Sequence, residues 1–187
     1  LELEPQKPAF VQRVLQQYEL VKEHLDAEFS EQVDQLLGRS VASLETNDAQ
    51  LLDALIDHFR TSGNAPLLEK LWQGKDELAL HDGDLEAQLE AVRNGSAYCS
   101  NFERSIARTS DLYGAFIQEG EDARALEAIT LLIELSADIP HWFMIGLKLH
   151  ARLRDWQAMK EWYEQYAAKL PPETDGKAVR LLVESLE

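Results

Sequence analysis

The chain has 187 residues, 34 of them acidic and 18 basic, so its formal net charge is −16. A hydrophobic content of 45% argues against disorder, and the length allows one domain with a buried core. The negative charge argues against charge-driven binding to nucleic acid or to an anionic membrane, and it favours a basic or neutral partner. The single cysteine, Cys99, excludes an internal disulfide.

The N-terminal part predicts a series of helices separated by short polar breaks. An apolar stripe at helical spacing predicts the first helix over residues 8–28. Ser30 is the predicted cap of a second helix. Asn47 or Asp48 caps a third helix, and residues 61–64 end it.

Two further helices follow in this part of the chain. Asn64 is the predicted cap of the fourth helix, whose apolar face includes Trp72. Residues 73–83 are the most polar break, and His81 to Asp84 is predicted as a turn. Asp84 caps a short helix that ends at residues 94–95.

From about residue 100 the helical pattern strengthens. One helix ends at Gly120, and the next ends before Pro140. Two more are predicted over residues 141–153 and 155–170, separated by a short turn. A last amphipathic helix begins at about residue 174, and it has the character of the capping helix that closes a helical array.

Two of these helical pairs share a spacing. Large and small residues alternate along the second pair as in a close-packed helical hairpin: Trp142, Ile145, Gly146, Leu149, Ala158 and Trp162. Tyr113 precedes Gly146 by 33 residues. Ala125 precedes Ala158 by the same interval. A period near this length is typical of stacked helix-turn-helix repeats.

This pattern resembles the consensus of a tetratricopeptide repeat, in which small residues lie where two helices cross closest and large aromatics lie where they diverge. The sequence departs from the consensus at four places. Leu153 or Arg154 replaces the turn glycine, and Tyr113 replaces the small residue of the preceding unit. The aromatic after the turn is one place late at Trp156, and the closing proline is late at Pro171. The resemblance covers about residues 106–172. It implies an α-solenoid with a concave groove that accepts a peptide or helix of a partner.

We therefore expect an all-α protein of nine or ten helices, built from antiparallel helical hairpins stacked as a short TPR-like α-solenoid with a C-terminal capping helix. The prediction is one domain over residues 1–187. It has an irregular helical part at 1–95, two repeat-like hairpins at 100–172 and the cap at 173–187.

The predicted partner-binding groove is formed mainly by the helices at about 106–118 and 141–153. Its residues are those that turn away from the partner helix, together with an aromatic at the next turn: His141, Met144, Lys148, Arg152 and Trp156. Their cations could hold an acidic peptide or a C-terminal carboxylate. The alternative is internal compensation by acidic residues of the preceding unit, such as Asp122.

Three other features have simpler explanations. His81 and Asp82 invite comparison with helical metal phosphohydrolases, but a turn before the next helix explains them. Cys99 lacks any nucleophile motif. The acidic stretch at 76–90 could imitate a nucleic-acid backbone, although a solvated helix face explains it more simply.

The sequence thus predicts a non-enzymatic protein–protein interaction module that binds a peptide or helix of another protein. That partner is acidic at the groove or basic at the acidic face. The alternative is an acidic inhibitor or immunity-type protein that covers a basic site. A hydrolase that uses His81 and Asp82 is the third possibility. We expect no cofactor, no metal, no nucleic acid and no membrane partner, and we expect residence in the cytoplasm because the first five residues are not a signal peptide.

Overall fold

The computed structural model describes residues 7–42, 44, 46 and 48–184. Over these residues the chain forms ten α-helices and two short 3-10 turns, and it contains no β-strand, which confirms the predicted all-α class. The helices are α1 (Pro8–Val21), α2 (Ala27–Ala42), α3 (Ala49–Ser62), α4 (Ala65–Asp82), α5 (Leu85–Ser96), α6 (Phe102–Glu119), α7 (Asp122–Leu135), α8 (Ile139–Leu153), α9 (Trp156–Tyr166) and α10 (Pro172–Glu184).

Four connections between helices use the same two-residue turn. The first residue has a positive φ and ends one helix, and the second precedes the next helix. Where the second residue is Asn or Asp, its side-chain oxygen accepts a backbone N–H of the new helix. Such short links make the joined helices antiparallel neighbours. The four pairs are Gly63–Asn64, Gly83–Asp84, Gly120–Glu121 and Arg154–Asp155.

The chain divides into two compact units, Leu1–Cys99 and Ser100–Glu187. In the first unit, α1 packs against α2 and α3, while α4 packs against α2, α3 and α5. In the second unit, α6 packs on α7, α7 on α8 and α8 on α9, and α10 lies against α8 and α9. Within each unit neighbouring helices pack as in a helical solenoid. The boundary falls where the sequence separates the irregular part from the repeat-like part, and a single domain stays a prediction.

The prediction for the first two helices was wrong in its boundaries. Helix α1 ends at Val21, and a 3-10 turn leads into extended backbone at Leu25. Helix α2 then begins at Ala27, because the Asp26 carboxylate accepts the backbone N–H of Phe29 at 2.8 Å. Ser30 therefore lies inside α2 and does not cap it.

The predicted break at 73–83 was wrong as well, because α4 continues to Asp82. Trp72, Asp76 and Ala79 recur at helical spacing and are all buried, so packing holds this polar stretch in a helix. Helix α5 continues past residues 94–95 to Ser96. A Cβ at Gly95 would lie 2.9 Å from Cβ of Trp72, so this helical glycine allows α4 and α5 to approach closely.

The remaining boundaries differ little from the predictions. The Asp48 carboxylate accepts the N–H groups of Gln50 and Leu51, which confirms it as the cap of α3, and Asn47 lies outside the described residues. Helix α8 begins at Ile139 with proline in its first turn, and α10 begins two residues earlier than predicted.

Candidate functional site

The hairpin of α8 and α9 is organised around the contact between Gly146 and Trp162. A Cβ at Gly146 would lie 2.6 Å from Cζ2 of the indole ring. The indole Nε1 donates to the backbone oxygen of Phe143 at 3.3 Å, and the ring lies 5.0 Å from that of Tyr166. Ala158 is only half-buried. The small residue on α8 is thus required by an aromatic ring that packs directly on it, whereas the repeat pattern placed Trp162 where the helices diverge.

Trp142 contacts the preceding helical pair. Its ring meets that of Tyr113 edge-on, with 6.1 Å between centroids. The ring of His141 lies 4.8 Å from it on the same helix. The ring contact between Tyr113 and Trp142 joins α6 to α8 within the second unit.

The residues predicted for the groove lie on one stripe of α8 and at the start of α9. His141, Lys148 and Arg152 are exposed and Met144 is half-buried. Trp156 is the first residue of α9 and keeps 37% of its surface exposed. The helical spacing of 3, 4 and 4 residues places the four α8 residues on one face.

Arg152 already has a partner within the unit. Its Nε donates to Oδ2 of Asp122, at the start of α7, at 2.7 Å, and its Nη2 donates to Oδ1 of the same carboxylate. This fork-like pair is the geometry in which arginine holds carboxylates best. Arg152, one of the two cations at the centre of the predicted groove, is therefore already paired with an acidic residue of its own unit, as the alternative explanation expected. Lys148 has no ion-pair partner among the residues that the structure describes.

The other basic residues near this stripe are also separated by the fold. Lys160 lies 3.6 Å from the Glu164 carboxylate one turn away. Arg154 adopts the left-handed conformation at the end of α8, with φ 57°. His150 lies with its ring 5.3 Å from that of Trp162, and burial lowers its pKa below the ordinary value. Lys160, Arg154 and His150 are close to Lys148 and Arg152 in the sequence, but in the structure each has a different environment: an ion pair, a helix end and an aromatic contact.

The residues of the hydrolase hypothesis do not assemble a ligand set. His81 and Asp82 are exposed in the last turn of α4, next to Gly83 in the left-handed conformation. Among the described residues no group of three or more His, Cys, Asp or Glu side chains is placed to hold a metal ion. Because a metal hydrolase needs several converging ligands, the geometry gives this hypothesis no support.

Cys99 and the acidic stretch have structural contacts. The Cys99 thiol donates to the Glu69 carboxylate at 3.2 Å. Asp76 is buried, and Asp84 accepts the N–H of Ala87 as the cap of α5. The stretch at 76–90 is therefore not a continuous solvated acidic face.

A cleft that the sequence did not single out lies between α1 and α2. Its volume is about 490 Å³. Phe29 is 49% exposed, Val21 42% and Leu36 38%, although all three belong to apolar stripes. Eight of its ten lining residues are apolar or aromatic, and the lining comprises Phe10, Arg13, Val14, Gln17, Tyr18, Val21, Leu25, Phe29, Val33 and Leu36. The signal was present as an apolar stripe, but periodicity does not show whether a stripe is covered.

A second opening, of about 690 Å³, lies on the other side of α1, against α3. His58 lines this groove with its side chain only 5% exposed. Its Nε2 lies 2.8 Å from Oδ1 of Asp34 on α2, and its Nδ1 lies 3.9 Å from Oε1 of Glu19 on α1. The Tyr18 ring meets the imidazole edge-on at 5.2 Å. His58 thus connects the three helices that border the two openings.

The described residues include no helix that is both long and apolar enough to cross a membrane. Comparison of the chain with protein-family models, with curated proteins and with solved structures found no match.

Proposed function

We propose that this protein is a non-enzymatic interaction module that binds the apolar face of a partner's helix in the cleft between α1 and α2. The observation that carries the proposal is the cleft itself, an apolar opening of about 490 Å³ whose large side chains stay partly exposed. Contiguous apolar surface of this kind is typical of protein-interaction sites.

The geometry of the cleft fits a helix. Helix α1 presents Phe10 and Val14 and then Val21, while α2 presents Phe29 and Leu36, so both walls carry apolar side chains at helical spacing. A third helix laid between two such walls contributes its own side chains at i, i+4 and i+7, which is the helix-in-groove mode of recognition. Covering the exposed half of Phe29 alone would contribute roughly 1 kcal/mol.

The other predicted functions receive less support. The groove on α8, with His141, Met144 and Lys148, stays a prediction that is weakened by the pairing of Arg152 with Asp122. The acidic inhibitor rests on net charge alone. The likeness to a tetratricopeptide repeat is supported by the α6–α7 and α8–α9 hairpins, and residence in the cytoplasm stays a prediction from the sequence.

The test is a display selection of 18-residue peptides with a fixed helical apolar face, followed by affinity measurements on the selected peptides. Phe29→Asp places a charge in the cleft. Leu80→Asp is the matched control, since Leu80 lies on α4 outside the cleft and is 55% exposed.

We expect Phe29→Asp to weaken binding at least about tenfold, because the roughly 1 kcal/mol from covering the exposed half of Phe29 is lost and a carboxylate is desolvated in its place. Leu80→Asp should change affinity less than about twofold, and far-UV circular dichroism should show both variants folded. Equal binding by both variants, or no selected peptide at all, would contradict the proposal.

A further inference from the structure

Helix α1 forms a ridge between the two openings of the first unit. The cleft lies between α1 and α2, and the groove lies between α1 and α3. Gln17 lines both of them, so the two openings are adjacent across α1 at this residue. A ligand in the cleft that extends a side chain past Gln17 therefore meets the residues that line the groove.

The groove differs from the cleft in carrying carboxylates. Glu19 and Asp57 line it with their side chains 45% and 77% exposed, and Lys22 is the one Lys or Arg among its lining residues. Each contacts a basic residue of its own helical region, Glu19 with Lys22 and Asp57 with Arg60 at 3.5 Å. Both pairs are exposed, and exposed pairs of this kind are weak, so a cation from a ligand can compete for either carboxylate.

Residues 1–99 as a whole carry a negative charge, like the two carboxylates of the groove. Residues 1–99 contain 19 acidic and eight basic side chains. An excess of this size attracts positively charged ligands and repels negative ones. Arg13 is the one charged residue among those that line the cleft, and it disfavours a cation there. The groove has two carboxylates against the single lysine Lys22, so a cation on the ligand is directed towards the groove.

We infer that the occupant of the cleft is a basic amphipathic helix of a partner protein, with its apolar face between α1 and α2 and a Lys or Arg side chain crossing Gln17 to Glu19 and Asp57. This inference rests on the proposed function, and it adds the charge and the orientation of the partner.

The experiment uses the same peptide format with the polar positions randomised among Lys, Glu and Gln. Selection on the protein, followed by removal of peptides that still bind Phe29→Asp, leaves the binders that depend on the cleft. We expect Lys to be enriched at the positions beside the apolar face, and we expect affinity to fall as the salt concentration rises.

The charge partner is tested with Glu19→Gln combined with Asp57→Asn. This pair should weaken binding of a Lys-rich peptide about three- to tenfold and reduce its salt dependence. The matched control is Asp82→Asn combined with Glu90→Gln, which removes the same charge from exposed sites on α4 and α5. The control should alter affinity less than about twofold.

The outcomes separate this inference from the proposed function. Cleft-dependent peptides that are neutral or acidic would overturn the inference and leave the cleft as a binding site. Equal weakening by the two double variants would overturn it too, because general charge attraction would then explain the preference. No cleft-dependent peptide would overturn both. A dimer in sedimentation velocity that Phe29→Asp dissociates would assign the cleft to a second copy of this chain and overturn both.

Discussion

Replacing Gly146 by alanine tests how the α8–α9 hairpin is packed. The new methyl group would lie 2.6 Å from Cζ2 and 2.9 Å from Cε2 of the Trp162 indole. A rigid ring cannot yield at one atom, and this ring is buried beside Tyr166 and His150. The indole must therefore shift as a whole and loosen its hydrogen bond to the Phe143 carbonyl.

Opposing contributions determine whether Gly146→Ala raises or lowers the free energy of unfolding. Overpacking costs about 1–3 kcal/mol and the lost hydrogen bond about 1 kcal/mol. Alanine in a helix interior recovers about 0.5–1 kcal/mol relative to glycine. We expect Gly146→Ala to lower the free energy of unfolding by about 1–3.5 kcal/mol. Gly114→Ala is the matched control, because nothing lies within 4 Å of its added Cβ in α6. It should raise that free energy by about 0.5–1 kcal/mol.

The assay is urea unfolding followed by tryptophan fluorescence, since three of the four tryptophans lie in residues 100–187. The midpoint of Gly146→Ala should fall by roughly 1 M at constant slope. Adding Trp162→Phe should relieve the clash and give a coupling energy of about 1 kcal/mol in a double-mutant cycle. A midpoint for Gly146→Ala at or above that of Gly114→Ala would refute the reasoning.

Three further variants test other parts of the structure. Arg154→Gly should raise the free energy of unfolding by about 0.5–1 kcal/mol in urea unfolding, because Arg154 has φ 57°, which glycine adopts without strain. His150→Gln should make the thermal midpoint depend less on pH between pH 5 and 7. Burial holds the folded-state pKa of His150 below its ordinary value, so the unfolded chain takes up the proton first. The wild type therefore loses stability as the pH falls, and the variant lacks this contribution. A pH profile identical to that of the wild type would contradict this. His58→Phe should lower the free energy of unfolding by about 1–2 kcal/mol, because the Asp34 carboxylate loses its partner while the aromatic packing is kept, and a stability equal to wild type would contradict a structural role for that bond.

The helical character of the chain could be predicted because it depends on local interactions. Asp48, Asn64 and Asp84 cap the helices that their sequence positions indicated. Gly120 ends α6 as predicted, in the left-handed conformation. The predictions failed where packing or a local side-chain bond outweighed composition. One case is the polar stretch of α4, and the other is the Asp26 cap that shortens the first helix.

The candidate site was less predictable than the helices. Arg152 is exposed on α8, but its bond to Asp122 depends on how α7 and α8 lie against each other. His58 did not stand out as a structural residue, because its partners Glu19 and Asp34 lie 39 and 24 residues earlier in the chain. Contacts between distant segments leave no periodic signal in one sequence.

The sequence by itself determined that the chain is helical, where most turns lie and which faces of the helices are apolar, because capping, left-handed turn residues and the 3.6-residue period act within a few residues. Only the tertiary structure decided which apolar face is covered. The stripe of α1 and α2 has the same period as the stripes of α3 and α7, yet Phe29 and Val21 remain exposed while Leu55 and Ile129 are buried. Burial depends on which helix packs opposite, and that is a property of the whole fold.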